Sequence, residues 1–249
     1  MNFTRTSNPV FSEERLREIS GALVGEGVMT VKGVATKSVL LLLLVFLTGS
    51  VTWKLAGTNS TWLMPLMIGG GIGALILGFV TCAKADKAHI LAPIYALCEG
   101  LLLGALSAMY EAELAGIVSM AILSTFAVAG VVFLCYRFGI LRASNTFIKV
   151  ISYATLGIGA FYLISIVAGL FGANISVFGL GTIGIGIQLV IVAVAALNLV
   201  LDFNSIEEGV NSGAPAQMEW FGAFGLMVTL VWIYLEILRL IALLSGRRD

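Results

Sequence analysis

Long apolar runs, separated by short polar segments, dominate the sequence. Seven of them approach or exceed the length of about 20 residues that a helix needs to cross the hydrocarbon core of a bilayer. The runs cover approximately residues 34–53, 62–82, 90–110, 114–136, 146–170, 179–203 and 220–244. They are too long for buried strands, and they lack the alternation of apolar and polar positions found in membrane β-barrels. The pattern therefore predicts an all-α, polytopic membrane protein built as a bundle of seven transmembrane helices.

The polar positions divide the chain into two parts. Residues 1–33 are polar and mixed in charge, so we expect an N-terminal tail there and a transmembrane domain over residues 34–249. The tail lacks the short apolar region of a cleaved signal sequence, so we expect the first span to act as an uncleaved signal sequence. The last run shows little polar face between Phe221 and Leu244, as a helix surrounded by others does. We therefore expect helix seven to be the central element.

Composition supports the membrane class and excludes several chemistries. Hydrophobic residues make up 59% of the chain, charged residues only 11%, and the mean hydropathy is +1.04. The net charge is zero, which gives no bulk attraction to nucleic acid. One histidine and scattered cysteines make no zinc site, and neither a phosphate-binding loop nor the GxGD motif of intramembrane diaspartyl proteases occurs. We expect no enzymatic activity and no cofactor.

The basic residues predict the orientation in the membrane. Of the 14 Lys and Arg residues, ten would lie on one side, three on the other, and Arg239 within the last span. The three are Lys54, Arg247 and Arg248. Because cytoplasmic loops carry the excess of Lys and Arg, we expect a cytosolic N-terminus in a bacterial-type cytoplasmic (inner) membrane.

Three acidic residues fall within the apolar runs. Asp202 and Glu236 lie in runs six and seven, and Glu99 lies in run three. A carboxylate at membrane depth costs at least a few kcal/mol, so each is a candidate for binding a proton or a cation. Glu99 must face the bundle interior with a partner or a proton. Its candidate partners are Tyr95, Gln188 and Asn198.

Three segments resemble the Bax inhibitor/YccA-like family, also called the transmembrane Bax-inhibitor-motif family. LDFNSI (201–206) is similar to the D-x-x-x-I signature of its sixth span, and YALCEGLLLG (95–104) to its third-span E-G-x-x-x-G segment. IYLEILRL (233–240) resembles the seventh-span L-Y-L-D segment, with Glu236 in place of the usual Asp. The resemblance covers residues 34–244.

The resemblance implies a function for this chain. Bacterial relatives are regarded as pH-sensitive calcium leak proteins, with the positions of Asp202 and Glu236 as their acidic pair. Two carboxylates that share a low-dielectric site titrate as a unit, and at higher pH they offer oxygen ligands to Ca²⁺. We therefore expect a proton-regulated cation leak in the lipid bilayer. The resemblance also implies an alternative, a non-transporting stress-response regulator that binds a membrane protease or another integral membrane protein.

Whether the two acids meet depends on where helix six ends. If it ends at Asn204, Asp202 lies at the membrane surface, whereas Glu236 lies roughly 24 Å along helix seven. The two meet only if helix six continues through Glu207 and Glu208 to about Gly213. Both arrangements are consistent with the sequence.

Two structural roles compete with these functional ones. Arg239 follows Glu236 by three residues, within reach on the same helix face, and would neutralise it without any transport function. The acidic stretch of Glu207, Glu208 and Glu219 is either an ordinary solvated loop or a vestibule that concentrates cations.

Overall fold

The computed structural model of the protein describes residues 27–58, 60–172 and 181–246. Seven long α-helices account for most of these residues, with short 3₁₀ turns at Ser60–Trp62 and Ala85–Lys87. The helices are α1 (Val31–Thr58), α2 (Leu63–Ala83), α3 (Ala88–Glu113), α4 (Ile117–Arg137), α5 (Asn145–Leu170), α6 (Gly181–Asn211) and α7 (Met218–Ser245). The described residues contain no strand. Most of the predicted N-terminal tail, residues 1–26, lies outside the described part.

Each of the seven helices is long and apolar enough to cross a membrane, which confirms the predicted number of spans and the fold class. The largest difference in bounds concerns helix six, which continues to Asn211 rather than ending near residue 203. Large apolar side chains on the outer surfaces of the helices are exposed, as expected of a bundle that turns them toward lipid.

Helix α7 lies at the centre of the bundle. It packs against α1, α3, α4 and α6, and many of its side chains are buried, including Met227, Ile233 and Leu238. Helix α5 is the peripheral element, because it packs mainly against α6 and exposes most of its large apolar side chains. The prediction of a central seventh helix is confirmed.

Glycines permit the closest helix contacts. A Cβ on Gly104 of α3 would lie 2.3 Å from the carbonyl oxygen of Gly49 in α1, and one on Gly70 of α2 would lie 2.7 Å from the carbonyl oxygen of Cys98. Such backbone approach is how membrane helices associate without a hydrophobic driving force. The contacts also show that α1 and α3 run parallel, with α2 antiparallel to both.

One short segment ties the start of α1 to the turn between α6 and α7. We call Gly27–Thr30 the strap. The Met29 amide donates to the Ala214 carbonyl (2.8 Å), and the Ala216 amide donates to the Gly27 carbonyl (3.2 Å). The Met29 side chain is buried between α6 and α7, against Gly209 and Gly222. The strap therefore closes the end of the bundle at which α1, α3 and α7 begin, which we call the N-terminal face.

Candidate functional site

Glu236 is buried in the bundle and accepts hydrogen bonds from four side chains on three helices. Tyr162 of α5 donates to both carboxylate oxygens (2.9 and 2.8 Å), and Gln188 of α6 donates to Oε2 (2.7 Å). From α7 itself, Trp232 Nε1 (2.9 Å) and Arg239 Nη1 (3.1 Å) donate to Oε1. Gln188 also donates to the Glu236 backbone carbonyl (3.0 Å), which fixes α6 against α7.

This arrangement satisfies an ionised carboxylate. The Glu236 side chain is 1% exposed, and Arg239, whose guanidinium lies 4.9 Å over the Tyr162 ring, supplies the opposite charge. A carboxylate has about four acceptor sites, and four donors occupy them. The predicted alternative, an ion pair between Glu236 and Arg239 within one helix, is present in the structure. Little acceptor capacity is left at Glu236 for a transported cation.

Asp202 has a different environment. It lies on α6 facing α7, where its Oδ1 is close to Gly225 and its carboxyl interacts with Thr229. Its Oδ2 is inaccessible and has no hydrogen-bond partner among the described residues. Buried polar atoms are nearly always paired, so an uncommitted carboxyl oxygen inside the bundle is unusual.

The structure does not bring Asp202 and Glu236 together, although helix six continues almost as far as their meeting required. Asp202 is nine residues before the end of α6, whereas Glu236 is eighteen residues past the start of α7. This difference separates them by about 14 Å along the helices at about 1.5 Å per residue. The turn between α6 and α7 is centred near residues 214–215, whereas a contact between Asp202 and Glu236 requires a turn centred near residue 219. The two acids therefore form no shared carboxylate site.

Glu99 lies closer to the level of Asp202. It is eleven residues past the start of α3, so both acids are about 15 Å from the N-terminal face by helix rise. Glu99 is 6% exposed and interacts with Tyr95, one turn earlier, whose ring packs edge-on against Phe224 of α7 (5.0 Å between centroids). Tyr95 and Asp202 thus contact adjacent residues of α7, Phe224 and Gly225, and Glu99 lies one turn beyond Tyr95 on α3.

Of the three partners expected for Glu99, only Tyr95 has that role. Gln188 instead donates to Glu236, and Asn198 donates to Thr155 Oγ1 (2.8 Å) and to the Val194 carbonyl (2.8 Å). Gln188 lies 23 residues before the end of α6, so by helix rise it is about 18 Å deeper than Glu99. Asn198 is nearer that level, but its side chain is turned toward α5.

Comparison with known proteins agrees with this architecture. The family model described as Bax inhibitor 1 like matches residues 8–246, nearly the whole chain. The chain belongs to that family. No curated protein and no solved structure gives a significant match. Together with its seven apolar helices, the match shows that this Bax inhibitor 1 like protein is a multi-pass integral membrane protein.

Sequence reasoning missed the role of Glu219 in this Bax inhibitor 1 like chain. Glu219 is 6% exposed and accepts hydrogen bonds from the Thr30 amide (2.8 Å), the Thr30 hydroxyl (2.9 Å) and Lys37. Lys37 also lies over the Trp220 ring. Glu219 is therefore neither a solvated loop residue nor part of a vestibule, because it anchors the start of α1. No local pattern signals a contact that joins residues 189 positions apart.

The other two acids of that stretch belong to α6 and remain exposed. Glu207 accepts a hydrogen bond from the Tyr136 hydroxyl (2.5 Å), and Glu208 accepts one from Asn204 (2.9 Å). Within the described residues, no three His, Cys, Asp or Glu side chains are grouped as a metal ion requires. The described residues thus offer single acidic positions rather than a cluster of carboxylates.

Proposed function

We propose that this protein is a proton-regulated cation leak, with Asp202 as the group that exchanges a proton for a cation. One observation carries the proposal: Asp202 Oδ2 is buried inside the bundle with no partner among the described residues. A carboxylate at that depth is unfavourable unless it takes up a proton or a cation. Its oxygens are hard ligands, which makes Ca²⁺ the first cation to test.

Glu99 is the second acid of the proposed path. Because it lies at about the same depth as Asp202 by helix rise, we place it on the same path through the bundle. Exposed Glu207 and Glu208 near the end of α6 add negative charge between Asp202 and the N-terminal face. The proposal places this face in the cytosol, in line with the excess of Lys and Arg on that side.

Glu236 has a structural role in this proposal. Its four donors hold it as the counter-charge of Arg239, so it is the anchor that joins α5, α6 and α7. The pH response then depends on Asp202 alone rather than on a shared proton. No catalytic step and no resident cofactor is part of the proposal.

The test is Ca²⁺ flux into liposomes that contain the purified protein, measured between about pH 6 and pH 8. Asp202→Asn keeps the size of the side chain but cannot exchange a proton, so we expect a flux that no longer varies with pH. Asp86→Asn, the same change at an exposed position, is the matched control and should keep the wild-type profile. Glu99→Gln should change the rate while keeping the pH response.

Two results would refute the proposal. An unchanged pH profile in Asp202→Asn would show that the carboxyl is not the switch. Flux no higher than in empty liposomes at every pH would instead favour the regulator that binds a membrane protease or another integral protein.

A further inference from the structure

A deep groove opens on the side of the bundle between α1 and α4. Its volume is about 600 Å³, and α3 and α7 form its floor. The lining residues come mainly from the second half of α1, the second half of α3, the first half of α4 and the middle of α7. The groove therefore lies mainly in the half of the bundle away from the N-terminal face, and neither Asp202 nor Glu99 lines it.

The walls of the groove are almost entirely apolar, with Phe46, Ile122 and Phe126 among them. The polar groups at its floor bind each other, since the hydroxyls of Ser107 and Tyr234 are 2.6 Å apart. An apolar cavity without free hydrogen-bonding groups does not hold ordered water. At membrane depth and open to the side, such a groove favours hydrocarbon over water.

A positive charge stands at one end of this apolar groove. Lys54, near the end of α1, lines the mouth and is exposed. The ion pairs of the described residues are Lys37–Glu219 and Glu236–Arg239, so Lys54 belongs to neither. Trp53 lies beside it, and tryptophan is typical of the level at which lipid headgroups meet hydrocarbon. An ammonium at that level complements a phosphate.

We propose that the groove between α1 and α4 binds a phospholipid of the leaflet opposite the N-terminal face, with one acyl chain along the apolar walls and the phosphate at Lys54. The acyl chain contacts Leu230, Val231 and Tyr234, so the lipid touches the central helix directly. This site is distinct from the acids at Asp202 and Glu99, and it does not rest on cation transport.

The test measures lipid retained by the purified full-length protein in detergent, by native mass spectrometry. Phosphatidylglycerol and diacylglycerol with identical acyl chains are the two probes, because they differ in the phosphate headgroup. We expect one retained phospholipid per protein and a preference of about five-fold for phosphatidylglycerol, the effect of roughly one lysine near a headgroup. Lys54→Gln should remove this preference while diacylglycerol is retained as before.

A second pair of variants tests whether the acyl chain lies along the apolar walls of the groove. Ile122→Trp fills the groove from α4 and should reduce retention of both lipids, whereas Leu123→Trp, on the outward surface of the same helix, should have no effect. Ser50→Phe narrows the groove from α1 and should act like Ile122→Trp, so the test does not depend on one variant folding.

Three results would overturn the proposal. The first is wild-type lipid retention in both Ile122→Trp and Ser50→Phe. The second is an unchanged preference for phosphatidylglycerol in Lys54→Gln. The third is a lipid-free dimer that dissociates in Ile122→Trp, which would assign the groove to a second copy of the chain.

Discussion

Replacing Glu236 by glutamine tests whether this residue is an anchor. The amide retains one carbonyl acceptor for the donors on Tyr162, Gln188, Trp232 and Arg239, and it places an NH₂ group among them. It also removes the charge opposite Arg239. If Glu236 were instead an uncommitted acid that exchanges protons, losing its charge would leave the stability unchanged or increase it.

The magnitude follows from the burial of the two charges. Removing one partner of a buried ion pair lowers the free energy of unfolding by about 3–5 kcal/mol. Because Arg239 is partly exposed, we expect Glu236→Gln to lower it by about 3 kcal/mol. Arg239→Gln leaves the Glu236 carboxylate with its three neutral donors, so we expect the free energy of unfolding to fall by about 2 kcal/mol. The double variant no longer contains an unpaired charge. Its free energy of unfolding should fall by about 3 kcal/mol. This is about 2 kcal/mol less than the sum of the two single effects, and the difference is the coupling energy of the pair.

The assay is unfolding in mixed detergent micelles at one pH, followed by tryptophan fluorescence. Trp232, one of the four tryptophans of the chain, donates to Glu236 and contributes a signal from the site. Glu113→Gln, at an exposed position, is the control and should change the free energy of unfolding by less than about 0.5 kcal/mol. Strictly additive single effects, or wild-type stability in Glu236→Gln, would refute the anchor role.

Two further predictions concern close contacts of the fold. Gly33→Ala places a methyl group 2.1 Å from the Glu219 carboxyl, so we expect faster amide hydrogen exchange in the strap, whereas Gly57→Ala, with open space around it, should leave exchange unchanged. Equal exchange in both variants would show that Glu219 does not hold the strap. Gly104→Ala drives a methyl group into the α1 backbone and should destabilise the bundle by at least about 2 kcal/mol, measured by unfolding in micelles, whereas the open position Gly130→Ala should not. Equal stability of those two variants would contradict the packing of α1 on α3.

The hydrophobic pattern was sufficient to predict the number of helices and the central position of α7. Each span is defined by its own sequence, because the bilayer requires a continuous apolar run of sufficient length. The pairing of Glu236 with Arg239 could also be predicted, since both residues are on one helix at a fixed spacing. The span lengths and the Glu236–Arg239 pair follow from residues that are close together in the sequence.

Contacts between helices could not be predicted in the same way. The position of the turn after Asn211 decides which residue of α7 lies beside Asp202, and the polar stretch at 204–217 does not reveal where the helix ends. The rotation of α6 decides that Asn198 faces Thr155 of α5 rather than Glu99. Such rotations are set by packing between helices whose surfaces are apolar on every side, where periodicity carries little information.

The placement of Glu236, Arg239 and Trp232 on a single helix has a consequence for biogenesis. A lone carboxylate hinders the transfer of a helix from the insertion machinery into lipid. Here the opposite charge and one hydrogen-bond donor enter with it on α7, so the helix carries a neutral pair before any neighbour is present. Tyr162 and Gln188 are needed only at the later stage, when α5 and α6 assemble around it. Integration of the last helix is thereby separated from its docking.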